Sequence, residues 1–345
     1  MNREFLKNLL MTFSPSGDEK DAINLWNNEC ERLNLNHYYQ DKMGNSAWSV
    51  GTGETKLMIS GHLDEICMAV QYIDESGYLT LTNMAGVDLK TVPGSQVCIL
   101  TDKEVIEGIV NSNPIHIYWK ENKDTVWRWT DMKVDVGAES KEEVEEMGIS
   151  VGSPVVFKRN VYMNLGKNRL TGNALDDKAG TYVTYEVLKY FKEHESELPK
   201  NITLIGLACT GEESGLRGAI MSSKNINPDI SIDFDVTFAN IGLFKDDEYG
   251  KISLGKGPVI EYGQDKSRKL SDKLKEIAKE NNIPYQVQVS RSGGTNTDEI
   301  QLMSRDCETT LISLPLSSMH TQNETMDWRD IKNSIELVIK YIKGL

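Results

Sequence analysis

The residues able to do chemistry fall in a few short motifs: Gly61-His62-Leu63-Asp64-Glu65, Asp176-Asp177, Gly211-Glu212-Glu213, Asp235 and Met319-His320. Two imidazoles with three or more carboxylates suit one or two divalent ions of the zinc, cobalt or manganese kind. The set is too rich in nitrogen for a dedicated calcium cage. It lacks the thiolates of a structural zinc site and leaves coordination positions open, as catalysis requires. The His-x-Asp spacing of His62 and Asp64 has its own logic, because a metal-binding imidazole usually donates its other N–H to a carboxylate. Each motif alone also has a plainer reading. An acidic pair such as Glu212-Glu213 is usually a solvated face, and Asp176-Asp177 can cap a helix. Position separates these motifs from the rest, since each follows a buried strand or opens a helix. Glu142, Glu143, Glu145 and Glu146 lie in a polar run with no histidine nearby and read as surface. His37, His116 and His194 are read the same way.

The elements that must position these groups follow from periodicity. Lys56–Ser60 is a short apolar strand that ends just before His62, and Asn201–Ala208 is another that ends before Glu212. Ile230–Val236 carries Asp235 at its carboxyl end, and Thr309–Leu314 leads to His320. Helical spacing links Ile23, Trp26, Cys30 and Leu33, and also Ala179, Val183, Val187, Tyr190 and Phe191. Leu270, Leu274 and Ile277 mark a third helix. The chain ends on a fourth, with Ile331, Ile335, Val338, Ile339 and Ile342 on one face, Asp327 as its cap and Asp330 near N3. Strands alternating with helices predict an α/β fold with a mixed, mostly parallel sheet and helices on both faces. In such sheets ligands bind beyond the carboxyl ends of the strands, where these motifs would converge. Residues 69–162 differ in character. Short runs such as QVCIL, VIEGIVNS and SPVVFKR alternate with turns, and one acidic stretch, SKEEVEEMG, is helix-like. This predicts an all-β domain inserted at 69–162 in a domain formed by 1–68 and 163–345.

Composition narrows the function classes. The 345 residues are 39% hydrophobic and 26% charged, which provides a core and argues against disorder. A net charge of −14 argues against binding a phosphate backbone, so no nucleic-acid partner is expected. No stretch is apolar and long enough to span a bilayer, and MNREFLKNLL does not read as a secretory signal. Five scattered cysteines without a CxxC point to a reduced, cytoplasmic protein.

GHLDE, NALDDKAG, GEESGLRGA, DVT and the late MH resemble the motifs of the tetrahedral-assembling aminopeptidases. These are dinuclear metallopeptidases of the glutamyl, lysyl and deblocking type, and some relatives carry an endoglucanase label. FLKNLLMTFSPSGDE, DKMGN, PGSQVCIL, NPIH, VDVGAES, GISVGSPVVF, LGKGPVI and GGTNTDEIQL extend the resemblance through most of the chain. It implies a zinc-exopeptidase-like catalytic domain and a small, β-barrel-like insertion that builds a homo-oligomer, a dodecamer assembled from dimers. It implies two divalent ions per subunit, zinc foremost, with cobalt or manganese as alternatives. His62 and Asp235 would hold one, Glu213 and His320 the other, and Asp176 would bridge them. Asp64 would orient His62, the Asp176-Asp177 peptide would be cis, and Glu212 would be the general base. A water activated by the ions would attack the first carbonyl of a short peptide, with Glu212 passing its proton to the departing amine.

The chain departs from the family pattern at Lys178, where arginine is common, at Asn296, in an aspartate position, and in SSMHTQNE around His320. These changes bear on specificity. Arg291 and Lys266 are candidates for favouring acidic substrate side chains. The same metal motifs also serve amidases and deacylases acting on non-peptide or N-acyl amino acid substrates. A glycoside hydrolase would work through a carboxylate pair without obligatory metals. A non-catalytic assembly protein that kept the fold is the remaining alternative.

Overall fold

The computed structural model describes residues 1–114, 116, 127–289 and 294–345. The chain forms two compact units, one of Met1–Asp64, Val161–Met319 and Asn323–Leu345, the other of Glu65–Asn160 and His320–Gln322. The first unit opens with the Arg3–Met11 and Lys20–Arg32 helices, followed by β1 (Asn36–Gln40), β2 (Ser46–Val50) and β3 (Thr55–His62). The second contains β4 (Cys67–Ile73), β5 (Leu79–Ala85), β6 (Gln96–Leu100), β7 (Val105–Ser112), β8 (Met132–Asp135) and β9 (Pro154–Phe157). The first resumes with β10 (Tyr162–Leu165), β11 (Arg169–Gly172), β12 (Ile202–Cys209), β13 (Ile230–Phe238), β14 (Val259–Tyr262), β15 (Gln286–Val289), β16 (Glu308–Leu316) and β17 (Glu324–Asp327).

The first unit is built on an eight-stranded sheet in the order β1-β2-β12-β3-β13-β16-β14-β15. Its centre is parallel: β12, β3, β13 and β16 run together, while β2 and β14 are antiparallel to their inner neighbours. Alternation along the strands divides the apolar side chains between two faces. Leu57, Ile59, Leu204 and Ala208 enter one core with the Leu175–Glu193 helix and the C-terminal Trp328–Lys343 helix. Met58, Ile205, Leu207 and Cys209 enter a second core with Ala219, Ile226 and Ile300, from the Arg217–Ile226 and Asn296–Met303 helices. The mixed sheet with helices on both faces is therefore as predicted.

The strands run further than the sequence suggested. β3 continues through His62, so the histidine is its last residue rather than part of a following turn. β13 continues to Phe238, which places Asp235 inside the strand and not at its end. The β3–β13 ladder nonetheless stops at Ser60–Asp233, while β12 stays paired with β3 as far as His62 and β13 with β16 as far as Phe238. The two central strands thus stop pairing at their carboxyl ends, next to His62 and Asp235.

The second unit closes β4-β5-β8-β7-β6-β9 into a six-stranded antiparallel barrel, which leaves no unpaired edge. Met68, Leu79, Leu81, Val97, Ile99, Val110, Val134 and Phe157 fill its core. The Lys141–Glu146 helix buries only Val144, and its four glutamates are exposed as expected.

Two glycines let the Leu175–Glu193 helix press against the sheet. A Cβ on Gly61 would lie 2.4 Å from the Thr181 nitrogen and 2.6 Å from the Gly180 carbonyl carbon. A Cβ on Gly180 would lie 2.4 Å from the Asp177 carboxylate and 2.7 Å from the Phe234 Cβ. The obstacle to Gly61 is main chain, which no rotamer change can move. Gly61→Ala is therefore expected to lower unfolding free energy by about 1–3 kcal/mol, the usual cost of overpacking. The measurement is the denaturant midpoint at unchanged slope, and an unmoved midpoint refutes the close approach.

Candidate metal centre

His62 is buried at the end of β3. Its Nδ1 lies 3.1 Å from the Asp64 main-chain oxygen and 3.4 Å from the Asp64 carboxylate. A carbonyl oxygen can only accept, so Nδ1 carries the proton and Nε2 presents its lone pair. That Nε2 is buried without a hydrogen-bond partner. It faces Asp176 Oδ1 at 3.3 Å and Glu212 Oε2 at 3.8 Å.

Asp64, 0% exposed, does more than orient the imidazole. Its two carboxylate oxygens accept the amides of Glu212 and Glu213, each at 3.0 Å. Burial alone would raise its pKa, but the His62 ring, the Ser16 hydroxyl and the Glu212 amide hold it below the ordinary value.

The Asp176-Asp177 peptide is cis, and neither residue has helical dihedrals. The capping role falls to Asp177, whose Oδ1 accepts the Gly180 amide at 2.9 Å and whose Oδ2 accepts the His62 amide at 3.3 Å. Asp176 donates its own amide to Glu324 Oε2 at 3.1 Å, and its carboxylate faces His62. His62, Asp176 and Asp235 offer donor atoms within 4.8 Å of one another, and so do His62, Glu212 and Glu213.

These acids are crowded. Burial raises the carboxyls of Asp235, Asp177 and Glu212 well above the ordinary range, and repulsion from neighbouring carboxylates adds to it. Asp233 is pushed up to about 7 by burial, against the Ser60 hydroxyl. Burial would make His62 less basic, but Glu212, Asp176 and Asp64 outweigh it and raise its pKa well above the ordinary value. A dication relieves this repulsion and takes the place of the imidazole proton. The orphaned Nε2 amid buried carboxylates therefore fits a divalent metal of the zinc, cobalt or manganese type.

His320 lies with the second unit. It has φ +60°, and its Nδ1 is 2.8 Å from the Gly86 carbonyl oxygen. As in His62, a carbonyl oxygen can only accept, so Nδ1 carries the proton. Lys178 is buried and donates to the Thr12 carbonyl at 2.7 Å. Lys266 is paired with Asp265, so its charge is already met by a carboxylate. Asn296 is buried at the start of the Asn296–Met303 helix. Arg291 lies outside the described residues. His37, His116 and His194 are exposed.

Sequence reasoning missed four buried acids, Glu19, Asp177, Asp233 and Glu324, or gave them no role of their own. Asp233 had a signal, because the period of two in IDFDV puts it on the same strand face as Asp235. Nothing local signalled the bonds of Glu19 to Gly211 and of Glu324 to Asp176, which span 192 and 148 positions.

A model of the M42 glutamyl aminopeptidase family matches residues 44–337. The lysyl aminopeptidase of Pyrococcus furiosus is 35% identical over 310 residues, which cover 88% of this chain and 86% of that protein. A TET aminopeptidase from a marine sediment Thaumarchaeota archaeon superposes with TM-score 0.93 at 30% identity, covering 99% of this chain and 97% of the other. A TET peptidase of Pyrococcus horikoshii, described as able to assemble into a tetrahedron or a large octahedral shell, gives TM-score 0.85 at 28% identity, covering 99% of each chain.

Asp64→Asn turns one accepting oxygen into a donor facing the Glu212 or Glu213 amide. The expected result is a loss of about 10- to 100-fold in metal affinity or turnover, the range for residues that support metal ligands. Metal titration beside kcat reads it. Wild-type values for both refute the role given to Asp64.

Proposed function

The chain belongs to the M42 glutamyl aminopeptidase family, and on that premise we propose that it holds two divalent ions per subunit among His62, Asp176, Glu213, Asp235 and His320. It is a metal-dependent aminopeptidase, a peptide hydrolase. In the proposed arrangement His62 and Asp235 would hold one ion and Glu213 and His320 the other, with Asp176 shared between the two. Zinc is the first choice of metal, with cobalt or manganese as alternatives. The single observation that carries this reading is the buried, unpartnered Nε2 of His62, aimed at Asp176 and Glu212. The matching tautomer of His320 supports it.

When bound, the ions would supply Lewis acidity toward a water and the substrate carbonyl. Glu212 is the base. Its carboxyl is raised by burial, and its main chain is fixed by Asp64. It takes the proton of the attacking water and returns it to the departing amine. The free α-amino group of a short peptide is a cation, and the concentration of carboxylates favours it. That preference accounts for cleavage at the N-terminal residue.

The β-barrel unit is proposed to build a homo-oligomer, a dodecamer formed from dimers. The shell-forming Pyrococcus horikoshii relative, alike over 99% of both chains, supports this. A cytoplasmic location is supported by the five free cysteines. Among the described residues no helix is long and apolar enough to cross a membrane.

Exhaustive chelation is expected to abolish hydrolysis of aminoacyl anilides, and zinc, cobalt or manganese to restore it. Full activity in verified metal-free protein would sink the hydrolytic mechanism. The roles of the two glutamates are separated by paired variants. Glu212→Gln is nearly isosteric but cannot take a proton, so it should keep both ions while kcat falls at least about 10²-fold. Glu213→Gln should instead lose occupancy of one ion. Elemental analysis beside kcat decides, and loss of metal from Glu212→Gln alone reverses the assignment.

A further inference from the structure

The turn that follows β12 points three consecutive amides at buried carboxylates. The amides of Glu212 and Glu213 are taken by Asp64, as described above. The amide before them, from Gly211, donates to Glu19 Oε1 at 3.1 Å. The same oxygen accepts the Gly17 amide at 2.8 Å, which closes the Ser16-Gly17-Asp18 turn upon it. Glu19 is 5% exposed, and among the described residues it belongs to none of the metal-competent groupings.

The segment carrying Glu19 is fastened to both strand exits. Ser14 Oγ donates to the Leu63 carbonyl at 2.7 Å, one residue past the end of β3. Ser16 Oγ lies 3.0 Å from Ser214 Oγ, one residue past Glu213. Gly211 has φ +62°, and the turn after it is closed by the Gly215 and Leu216 amides on the Glu212 carbonyl, at 3.0 and 2.9 Å. Asp64 fixes the amides of Glu212 and Glu213, and the Arg217 amide holds the Gly211 carbonyl at 3.1 Å. Glu19 adds a hold on the Gly211 amide, at the entry to the turn that presents Glu212.

We propose that Glu19 is a positioning residue for Glu212, acting through the Gly211 amide to set the direction in which the base points. The proposal rests on the reading of Glu212 as the base. Because Glu19 acts through main chain, its removal changes turnover and leaves the ions in place. Its oxygen and not its charge is what the Gly211 amide needs, so glutamine preserves part of the function.

The test uses the full chain with its metals, assayed on an aminoacyl anilide. Glu19→Ala should keep wild-type metal content and a KM within about twofold, while kcat falls at least about tenfold. Glu19→Gln should recover at least about threefold of that loss, because its carbonyl oxygen still accepts from Gly211. If Glu19→Ala does not fold, Glu19→Asp replaces it. Its shorter side chain withdraws the oxygen from Gly211 and should lower kcat at least about fivefold with both ions retained.

The decisive arm is a cycle with Glu212→Gln. If Glu19 works through the base, adding Glu19→Ala to Glu212→Gln costs little further turnover. Additive losses overturn the proposal and leave the base assignment intact. A Glu19→Ala enzyme with wild-type kcat overturns it as well, and so does one whose kcat returns on metal saturation. Near-normal turnover in Glu212→Gln alone shows that the base assignment failed first.

Discussion

The buried carboxylate of Asp64 is the constraint on which the site depends. One residue connects the end of β3 to the turn after β12, since its main-chain oxygen receives the His62 ring proton and its side chain receives two consecutive amides. A carboxylate removed from water is tolerated as an anion only where such donors replace its hydration. The dependence is mutual. The amides keep Asp64 ionised, and Asp64 keeps the imidazole in the tautomer that leaves Nε2 open. Glu212 and Glu213 are adjacent in sequence, and each is held by its own oxygen of the same carboxylate. A regular strand could not offer two neighbouring side chains to one place.

The sheet contributes a gap and the glycines a close approach. Pairing between β3 and β13 ends at Ser60–Asp233, whereas each strand stays paired on its other side. His62 and Asp235 sit just beyond that break. Gly61 and Gly180 let the helix backbone reach the sheet, so that Asp177 bonds the His62 amide and Asp176 faces the ring. A methyl group at either glycine would crowd the Asp177 carboxylate that holds the His62 amide.

Electrostatics then select the occupant. Carboxylates brought together out of water raise one another's pKa values, and one imidazole cannot balance them. The arrangement costs stability unless a cation enters. Metal binding and the integrity of the site are therefore linked.

Much of this was legible in the order of residues. The alternation of apolar runs and helical faces determined a mixed α/β sheet, because periods of 2 and 3.6 are properties of the local chain. The motifs GHLDE, NALDDKAG and GEESG identified which acids and histidines to consider. Tertiary structure decided how those residues divide the work. Of the adjacent pair, Asp177 caps the helix and Asp176 faces the histidine, which no spacing rule distinguishes. Asp64 proved to hold two amides 148 and 149 positions away as well as the imidazole two positions back. Glu19 and Glu324 gave no local sign at all. The bonds of Glu19 to Gly211 and of Glu324 to Asp176 form only once distant segments are folded together, and a pattern read along the chain records the neighbours of a residue in sequence, not in space.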